Sequence, residues 1–365
     1  MLCAWWFITE PIPVAATALI PFALLPFLSN ISYVEISQAY GHHLIFLIIG
    51  GMLIAKAMEK NGLHRRGALL FIQFLGARGE KRIVLALMLT SAFLSMWMNN
   101  AAICIVMLPI ASAILEYNSG RPSFRTVLLL GIAYACSIGG IATPLGASSN
   151  TLFLSIYNET TGYIFSFEEW THIGFSIVLI LLPLTWIFLS MNLRGKESLA
   201  TPQTEKWTKG EFRVLLVLLA TILVWASRSF WTEPLGSNYL SDSTVALLAG
   251  IACFIIPSGR KKGERLLEWN KAKEIPWDLL LLIGSGIAIA KAFNSSGLSD
   301  QIGLLLVNIT FLHPLLLILC ICVITAILTE CTSNTGAVNI MLPILAIIAM
   351  ESGLEPEKLM IPATI

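Results

Sequence analysis

Long apolar runs alternate with short polar segments along the whole chain, and the places where the alternation fails are its most informative positions. Residues 2 to 28 form an apolar run punctuated by Pro11, Pro13, Pro21 and Pro26, which predicts a kinked or interrupted helix, with Glu10 just before the first proline. The run 44 to 58 predicts a crossing, and residues 63 to 77 predict an amphipathic helix at the membrane interface. Residues 83 to 116 are apolar apart from Ser95, Asn99 and Asn100 in their middle. The stretch 126 to 157 is broken by Gly139-Gly140, Pro144, Gly146 and the polar Ser148-Ser149-Asn150-Thr151, which predicts a discontinuous helix. Runs at 172 to 191, 212 to 231 and 242 to 257 have no internal polar break and predict scaffold spans. Trp277 to Phe293 predicts a further crossing and 298 to 310 a second interfacial piece. Residues 313 to 351 are interrupted by Thr329-Glu330-Cys331-Thr332-Ser333-Asn334-Thr335-Gly336. A bilayer core takes about 20 apolar residues per helix, so the pattern corresponds to about eight full crossings plus two hairpin-like segments.

Composition agrees with the pattern. With 56% hydrophobic and 12% charged residues and a mean hydropathy of +0.79, the chain is an all-α polytopic membrane protein and not a soluble domain. The net charge of +1 conceals an asymmetry: nineteen of the 23 Lys and Arg residues fall in 60–82, 116–126, 192–213 and 258–275. By the positive-inside rule those loops are cytoplasmic and the protein sits in the cell (inner) membrane. The loops near 29 to 42, 158 to 169, 232 to 243 and 294 to 312 contain no Lys or Arg and face outward. Residues 83 to 116 have basic loops at both ends, so they start and finish on one side as a re-entrant hairpin.

The later half repeats the earlier one. Gly51, Ile54-Ala55-Lys56-Ala57 and Gly62-Leu63 recur as Gly286, Ile289-Ala290-Lys291-Ala292 and Gly297-Leu298 at an offset of 235, and Met107-Leu108-Pro109-Ile110 recurs as Met341-Leu342-Pro343-Ile344 at 234. Because the charge rule puts Gly62 inside and Gly297 outside, the copies are inverted. Two inverted repeats, each with a re-entrant hairpin and a discontinuous helix, predict an alternating-access secondary transporter. The expected organisation is 1–82, scaffold spans and interfacial helix of the first repeat; 83–157, its transport element; 158–191, a connecting span; 192–310, the scaffold of the second repeat; and 311–365, its hairpin and the start of a broken helix.

The polar breaks carry the candidate chemistry. Ser95, Asn99 and Asn100 in the first and Thr329, Thr332, Ser333, Asn334 and Thr335 in the second offer hydroxyl and amide oxygens with no Lys or Arg among them. Such oxygens, with carbonyls freed by the breaks, can replace the hydration shell of a hard monovalent cation such as Na⁺. Half-helices beginning near residues 100 and 335 would direct positive N-terminal ends toward an anion. No catalytic or metal-ligand spacing is present: the seven cysteines lie in apolar surroundings and no His-Glu-x-x-His occurs, so neither an intramembrane enzyme nor an organic cofactor is indicated, and nothing points to nucleic acid.

Trp5-Trp6-Phe7-Ile8-Thr9-Glu10-Pro11-Ile12-Pro13, Gly62-Leu63-His64-Arg65-Arg66, Ser95-Met96-Trp97, Ser137-Ile138-Gly139-Gly140-Ile141-Ala142-Thr143-Pro144 and Thr329-Glu330 with Ser333-Asn334-Thr335 resemble the divalent anion/sodium symporter family along essentially the whole chain. The resemblance implies a homodimer whose protomers move dicarboxylates, citrate or sulfate with Na⁺ by an elevator-like motion. It implies a first Na⁺ site at Ser95, Asn99, Asn100 and Gly146, a second beginning with Thr329, Thr332 and Asn334, and substrate contacts at Asn100, Ser333, Asn334 and Thr335, to which Ser148 is added below.

Departures from the family pattern matter too. Asn99-Asn100-Ala101 replaces Ser-Asn-Thr, and Gly146-Ala147-Ser148-Ser149-Asn150 replaces Gly-Thr-Pro-Pro-Asn. Ala101 removes a hydroxyl from one carboxylate position, while Ser148 and Ser149 add two. Met360-Ile361-Pro362-Ala363-Thr364-Ile365 resembles the start of a family helix and the counterpart of 137 to 157 is missing, so the second repeat is expected to be incomplete and the chain truncated at both ends. The expected activity is Na⁺-coupled symport of small di- or tricarboxylates; the alternatives are an inorganic oxyanion such as sulfate, or a truncated chain that transports nothing.

Overall fold

The computed structural model describes residues 2–29, 31–76, 79–117, 121–193, 195, 206–228, 230, 241–261, 263–296, 314–331, 334–351 and 353–365. The second interfacial piece expected at 298 to 310 lies outside these residues, as do Thr332 and Ser333. Among the described residues the chain is all-helical, the sole β feature being a single bridge between Pro257 and Arg265. Two compact units divide it: residues 1–45, 148–165 and 276–365 form one, and residues 46–147 and 166–275 the other. They are called the first and second units here.

The first unit opens with the proline-interrupted run, which is three helices: α1 (Leu2–Thr9), α2 (Val14–Thr17) and α3 (Ile20–Leu28). Pro11 and Pro13 occupy the gap after α1, where no backbone N–H can continue the ladder. Helix α4 (Tyr33–Tyr40) begins at a capping box in which Ser32 Oγ accepts from Glu35 N at 3.2 Å and Glu35 Oε2 accepts from Ser32 N at 2.9 Å. The other members are α10 (Ser148–Thr161), α15 (Trp277–Ser295), α16 (Pro314–Cys331), α17 (Asn334–Glu351) and α18 (Glu357–Thr364). Helix α15 is central, packing on α2, α3, α4, α10 and α17. Buried Phe7, Ala18 and Leu282 form one apolar cluster, and Tyr157 Oη donates to Glu357 Oε2 at 2.8 Å to tie α10 to α18.

The second unit holds most of α5 (His43–Asn61), with α6 (Leu63–Leu75), α7 (Glu80–Ser95), α8 (Asn100–Tyr117), α9 (Pro122–Gly140), α11 (Phe167–Ser190), α12 (Lys209–Ala226), α13 (Asp242–Ile255) and the single turn α14 (Trp269–Ala272). Gly62 joins α5 to α6 at φ +80°, a left-handed turn that glycine adopts without strain. Capping boxes again mark the starts of α11 (Ser166 with Glu169) and α12 (Thr208 with Glu211). Two of its buried charges are paired: Arg66 meets Glu211 at 3.1 Å, and Glu80 meets the half-buried Arg121 at 2.9 Å. Removing either member of such a buried pair strands its partner.

Among the described residues, Tyr33–Asn61, Pro122–Gly140 and Phe167–Ser190 are long and apolar enough to cross a membrane, by length and composition. Val14–Leu28, Asn100–Glu116, Asp242–Ile255, Leu315–Glu330 and Asn334–Met350 are apolar but shorter, because polar breaks and prolines cut the runs that the sequence pattern counts as whole crossings. Helix α11 exposes Leu179, Ile180, Leu184 and Phe188, the last at 76%, an apolar face that suits lipid and not water.

Candidate functional site

Each unit contains a polar break between apolar helices, α7 and α8 in the second and α16 and α17 in the first, and the two are built differently. In the second unit, α7 stops at Ser95 and α8 restarts at Asn100. Trp97 N and Met98 N turn back to Leu94 O at 3.0 and 3.1 Å, and Asn99 Oδ1 accepts from Ala101 N at 3.0 Å, capping α8. Asn99 is exposed in that role, whereas Ser95 is wholly buried and Asn100 partly so.

The interrupted element that faces this turn is α9, which ends at Gly140 and is followed by irregular residues 141–147 before α10. Gly139 and Gly140 lie inside α9, not in its break, and serve close approach. A methyl on Gly139 would stand 2.3 Å from Ala92 O, and one on Gly140 would stand 2.5 Å from the Asn100 carboxamide. The break itself runs through Thr143, Pro144 and Gly146. Ile141 O, freed at this break, accepts from Trp170 Nε1 at 3.0 Å, and Met96 O, freed at the α7–α8 turn, accepts from Thr143 Oγ1. Local sequence signals neither bond, since the partners are 29 and 47 residues away.

Around Asn100 the remaining groups converge. With its amide nitrogen turned inward, Asn100 donates to Ser95 Oγ at 2.6 Å and to the carbonyls of Cys136 and Gly146 at 3.2 Å each. The position a Cβ would take on buried Gly146 is 2.4 Å from Gly140 O and 2.8 Å from Ser95 O. Ser95, Asn100 and Gly146 are thus brought together, with carbonyls of Ser95, Cys136, Gly140 and Gly146 around them, while Asn99 is turned to its cap. The cluster is uncharged and oxygen-rich, the donor set a hard monovalent cation accepts.

In the first unit the expected residues are more dispersed. Thr329 stays helical near the end of α16, its Oγ1 donating to Ala326 O at 3.0 Å. Asn334 is exposed as the first residue of α17. Thr335 Oγ1 and Ser148 Oγ share a hydrogen bond of 2.6 Å, joining residues 187 apart in sequence. Since Ser148 begins α10 and Thr335 is the second residue of α17, two helix N-termini meet at this pair of hydroxyls. Backbone N–H groups without intrahelical partners and the positive ends of both dipoles favour an anionic group there.

The chain is matched from residue 4 to residue 365 by the model of the citrate transporter family. It is 36% identical over 386 residues to the sodium-dependent dicarboxylate transporter SdcS of Staphylococcus saprophyticus, covering 99% of this chain and 74% of that protein. It is 35% identical over 383 residues to SdcS of Staphylococcus aureus strain USA300, with the same coverage. Among solved structures, the YdaH transporter of Alcanivorax borkumensis has the same fold, with a TM-score of 0.62 at 13% identity over 99% of this chain and 86% of that one. Together with an all-helical, lipid-suited surface and two polar helix breaks, these matches establish that the chain belongs to the citrate transporter family of divalent anion/sodium symporters, a family of membrane transporters and not of enzymes.

Proposed function

We propose that this protein is a secondary active transporter that carries small di- or tricarboxylates, of the succinate, malate, fumarate or citrate class, across the membrane together with Na⁺. The observation that carries the reading is the oxygen cluster around Asn100, which can strip the water from a cation yet has no basic side chain to hold an anion by itself. The names of the SdcS relatives supply both the ion and the substrate class. In this reading Ser95, Asn99, Asn100 and Gly146 form one Na⁺ site, Asn99 by capping the start of α8 that holds Asn100 in place, and Thr329, Thr332 and Asn334 begin another. Asn100, Ser148, Ser333, Asn334 and Thr335 are the proposed substrate contacts.

Coupling then follows from electrostatics. Unit charges about 5 Å apart in an effective dielectric of about 20 attract by roughly 3 kcal/mol, so a bound cation holds the carboxylate and its departure releases it. Alternating access moves both across the bilayer. The two halves act as inverted repeats, with 83–157 and 311–365 as transport elements built on re-entrant hairpins and 1–82 and 192–310 as scaffold, in a homodimer of the inner membrane with loops 60–82, 192–213 and 258–275 cytoplasmic. A second reading, an inorganic oxyanion such as sulfate, is favoured by Ala101, which lacks the hydroxyl that Thr335 carries at the corresponding position.

Uptake of labelled succinate, citrate and sulfate into proteoliposomes, with Na⁺ or K⁺ outside, tests the proposal. Succinate or citrate should accumulate only with Na⁺, and Asn334→Ala should abolish that accumulation. Uptake that is the same in K⁺ would remove sodium coupling, and accumulation of sulfate alone would replace the substrate class.

A further inference from the structure

One buried carboxamide in the first unit is not absorbed by the reading above. Asn339 lies on α17 and is fully buried at 0% exposure, yet neither Oδ1 nor Nδ2 has a hydrogen-bond partner. A carboxamide left bare in an apolar interior costs free energy on both of its ends, and an apolar residue of similar size would not bear that cost. Groups of this kind persist in native structures where an ion or a function needs them.

Its position is specific. Asn339 is one turn along α17 from Thr335, and Leu152 is one turn along α10 from Ser148, so the two helices carry the contact from the Ser148–Thr335 hydroxyl pair down to this level. On α15, Gly286 closes the junction. A methyl there would stand 1.9 Å from Asn339 Oδ1 and 3.1 Å from Leu152 Cδ2, so only glycine at 286 admits the carboxamide. Ser155, also fully buried and one turn beyond Leu152, spends its hydroxyl hydrogen on the carbonyls of Thr151 and Leu152 at 2.9 and 3.0 Å, which leaves oxygen lone pairs over. At the matching position of the earlier repeat, offset by 234, the chain has Ile105, and Gly286 matches Gly51. The glycine is common to both halves, whereas the amide belongs to the later one alone.

We propose that Asn339 is a cation ligand: its carboxamide oxygen binds a co-transported Na⁺ at the junction of α10, α15 and α17, one turn beneath the Ser148–Thr335 pair. The inference rests on the sodium-symport reading and adds to it an ion position within the first unit. At this depth in α17 the cation is past the first turn, where the positive end of the helix dipole would oppose it. It lies below the hydroxyls and free N–H groups offered to the anion. Substrate and ion then occupy successive levels of the same helix contact, which makes each a condition for holding the other.

The test compares wild type, Asn339→Leu and Asn339→Asp, purified in detergent for thermal melting in NaCl and in KCl and reconstituted for uptake at graded Na⁺. Wild type should melt higher in NaCl than in KCl, by linkage to the folded state. Asn339→Leu should melt at or above wild type in KCl, having lost two unsatisfied groups, yet lose most of the Na⁺-specific shift and need about tenfold more Na⁺ for half-maximal uptake. Asn339→Asp, which leaves a carboxylate that only a cation satisfies, should have a larger Na⁺-specific shift than wild type. A leucine variant with the full sodium shift and unchanged Na⁺ dependence overturns the proposal alone, as does an aspartate variant with no larger shift. Absence of any sodium-specific shift and of sodium-driven uptake in wild type overturns the symport reading itself.

Discussion

The two polar breaks began as counterparts in sequence and differ in how they are held. The break of the second unit, between Ser95 and Asn100, is buried and tied in place: Asn100 reaches three acceptors, Met96 O and Ile141 O are capped by Thr143 and Trp170, and Gly146 sits where no side chain fits. Among the described residues of the first unit's break, Asn334 is exposed, Thr329 Oγ1 donates to Ala326 O of its own helix, and Ser148 with Thr335 makes a tertiary contact. The break around buried Ser95 has the drifted motif, Asn99-Asn100-Ala101, and the one with exposed Asn334 keeps Ser333-Asn334-Thr335. On the proposed function, carbonyls and a buried amide keep the ion site intact through changes of side chain. A substrate contact made by exposed side chains depends on their identity.

The sharpest way to break that comparison is Gly146→Ala. The new methyl would meet backbone atoms, Gly140 O at 2.4 Å and Ser95 O at 2.8 Å, and backbone cannot rotate away as a side chain can. Overpacking of this kind costs about 3 kcal/mol, so chemical denaturation should report a loss of that order together with loss of Na⁺-driven uptake. If Gly146→Ala keeps both stability and uptake, the tight break is not the ion site.

A paired substitution comes next. Asn100→Ala leaves Ser95 and two carbonyls without their donor and should cost about 2 kcal/mol as well as transport. Asn334→Ala, at an exposed position, should change stability by less than about 0.5 kcal/mol while abolishing uptake. Equal stability losses in the two variants, measured by denaturation in the same detergent, would erase the distinction between a tied and an open break.

Much of this was legible in the sequence because it is local. Pro11 and Pro13 end α1, Gly62 turns α5 into α6, and the polar residues at 95 to 100 coincide with the gap between α7 and α8. What was not legible is tertiary. Gly139 and Gly140 look like helix breakers, yet they are the last two residues of α9, where they let it approach Ala92 and Asn100, and the break follows them at 141–147. Asn99 has the composition of a ligand, but a side chain just before a helix start is equally suited to capping, and here it caps. Trp170 and Thr143 close the freed carbonyls from distant parts of the chain, and no periodicity or motif signals such a bond. Asn339 reads as an ordinary polar residue in an apolar run until its burial and its contact with Gly286 are known.

The smallest expected effect asks whether the drift of the tied break matters to the substrate. Ala101 follows Asn100 at the start of α8, is exposed, and stands where the other break has Thr335. Ala101→Thr adds one hydroxyl there without disturbing a buried contact, so stability should hold. A net hydrogen bond is about 0.5–1.5 kcal/mol, which corresponds to roughly a two- to tenfold lower KM for a dicarboxylate, with no change for an anion too short to reach that hydroxyl. Competition of succinate and sulfate against labelled citrate in the variant and in wild type separates the two cases. A gain confined to succinate means that the natural alanine tunes the second carboxylate position; an equal gain for sulfate means that it lies beside the first. With no gain for either, the hydroxyl does not face the substrate, and recognition rests on the open break alone.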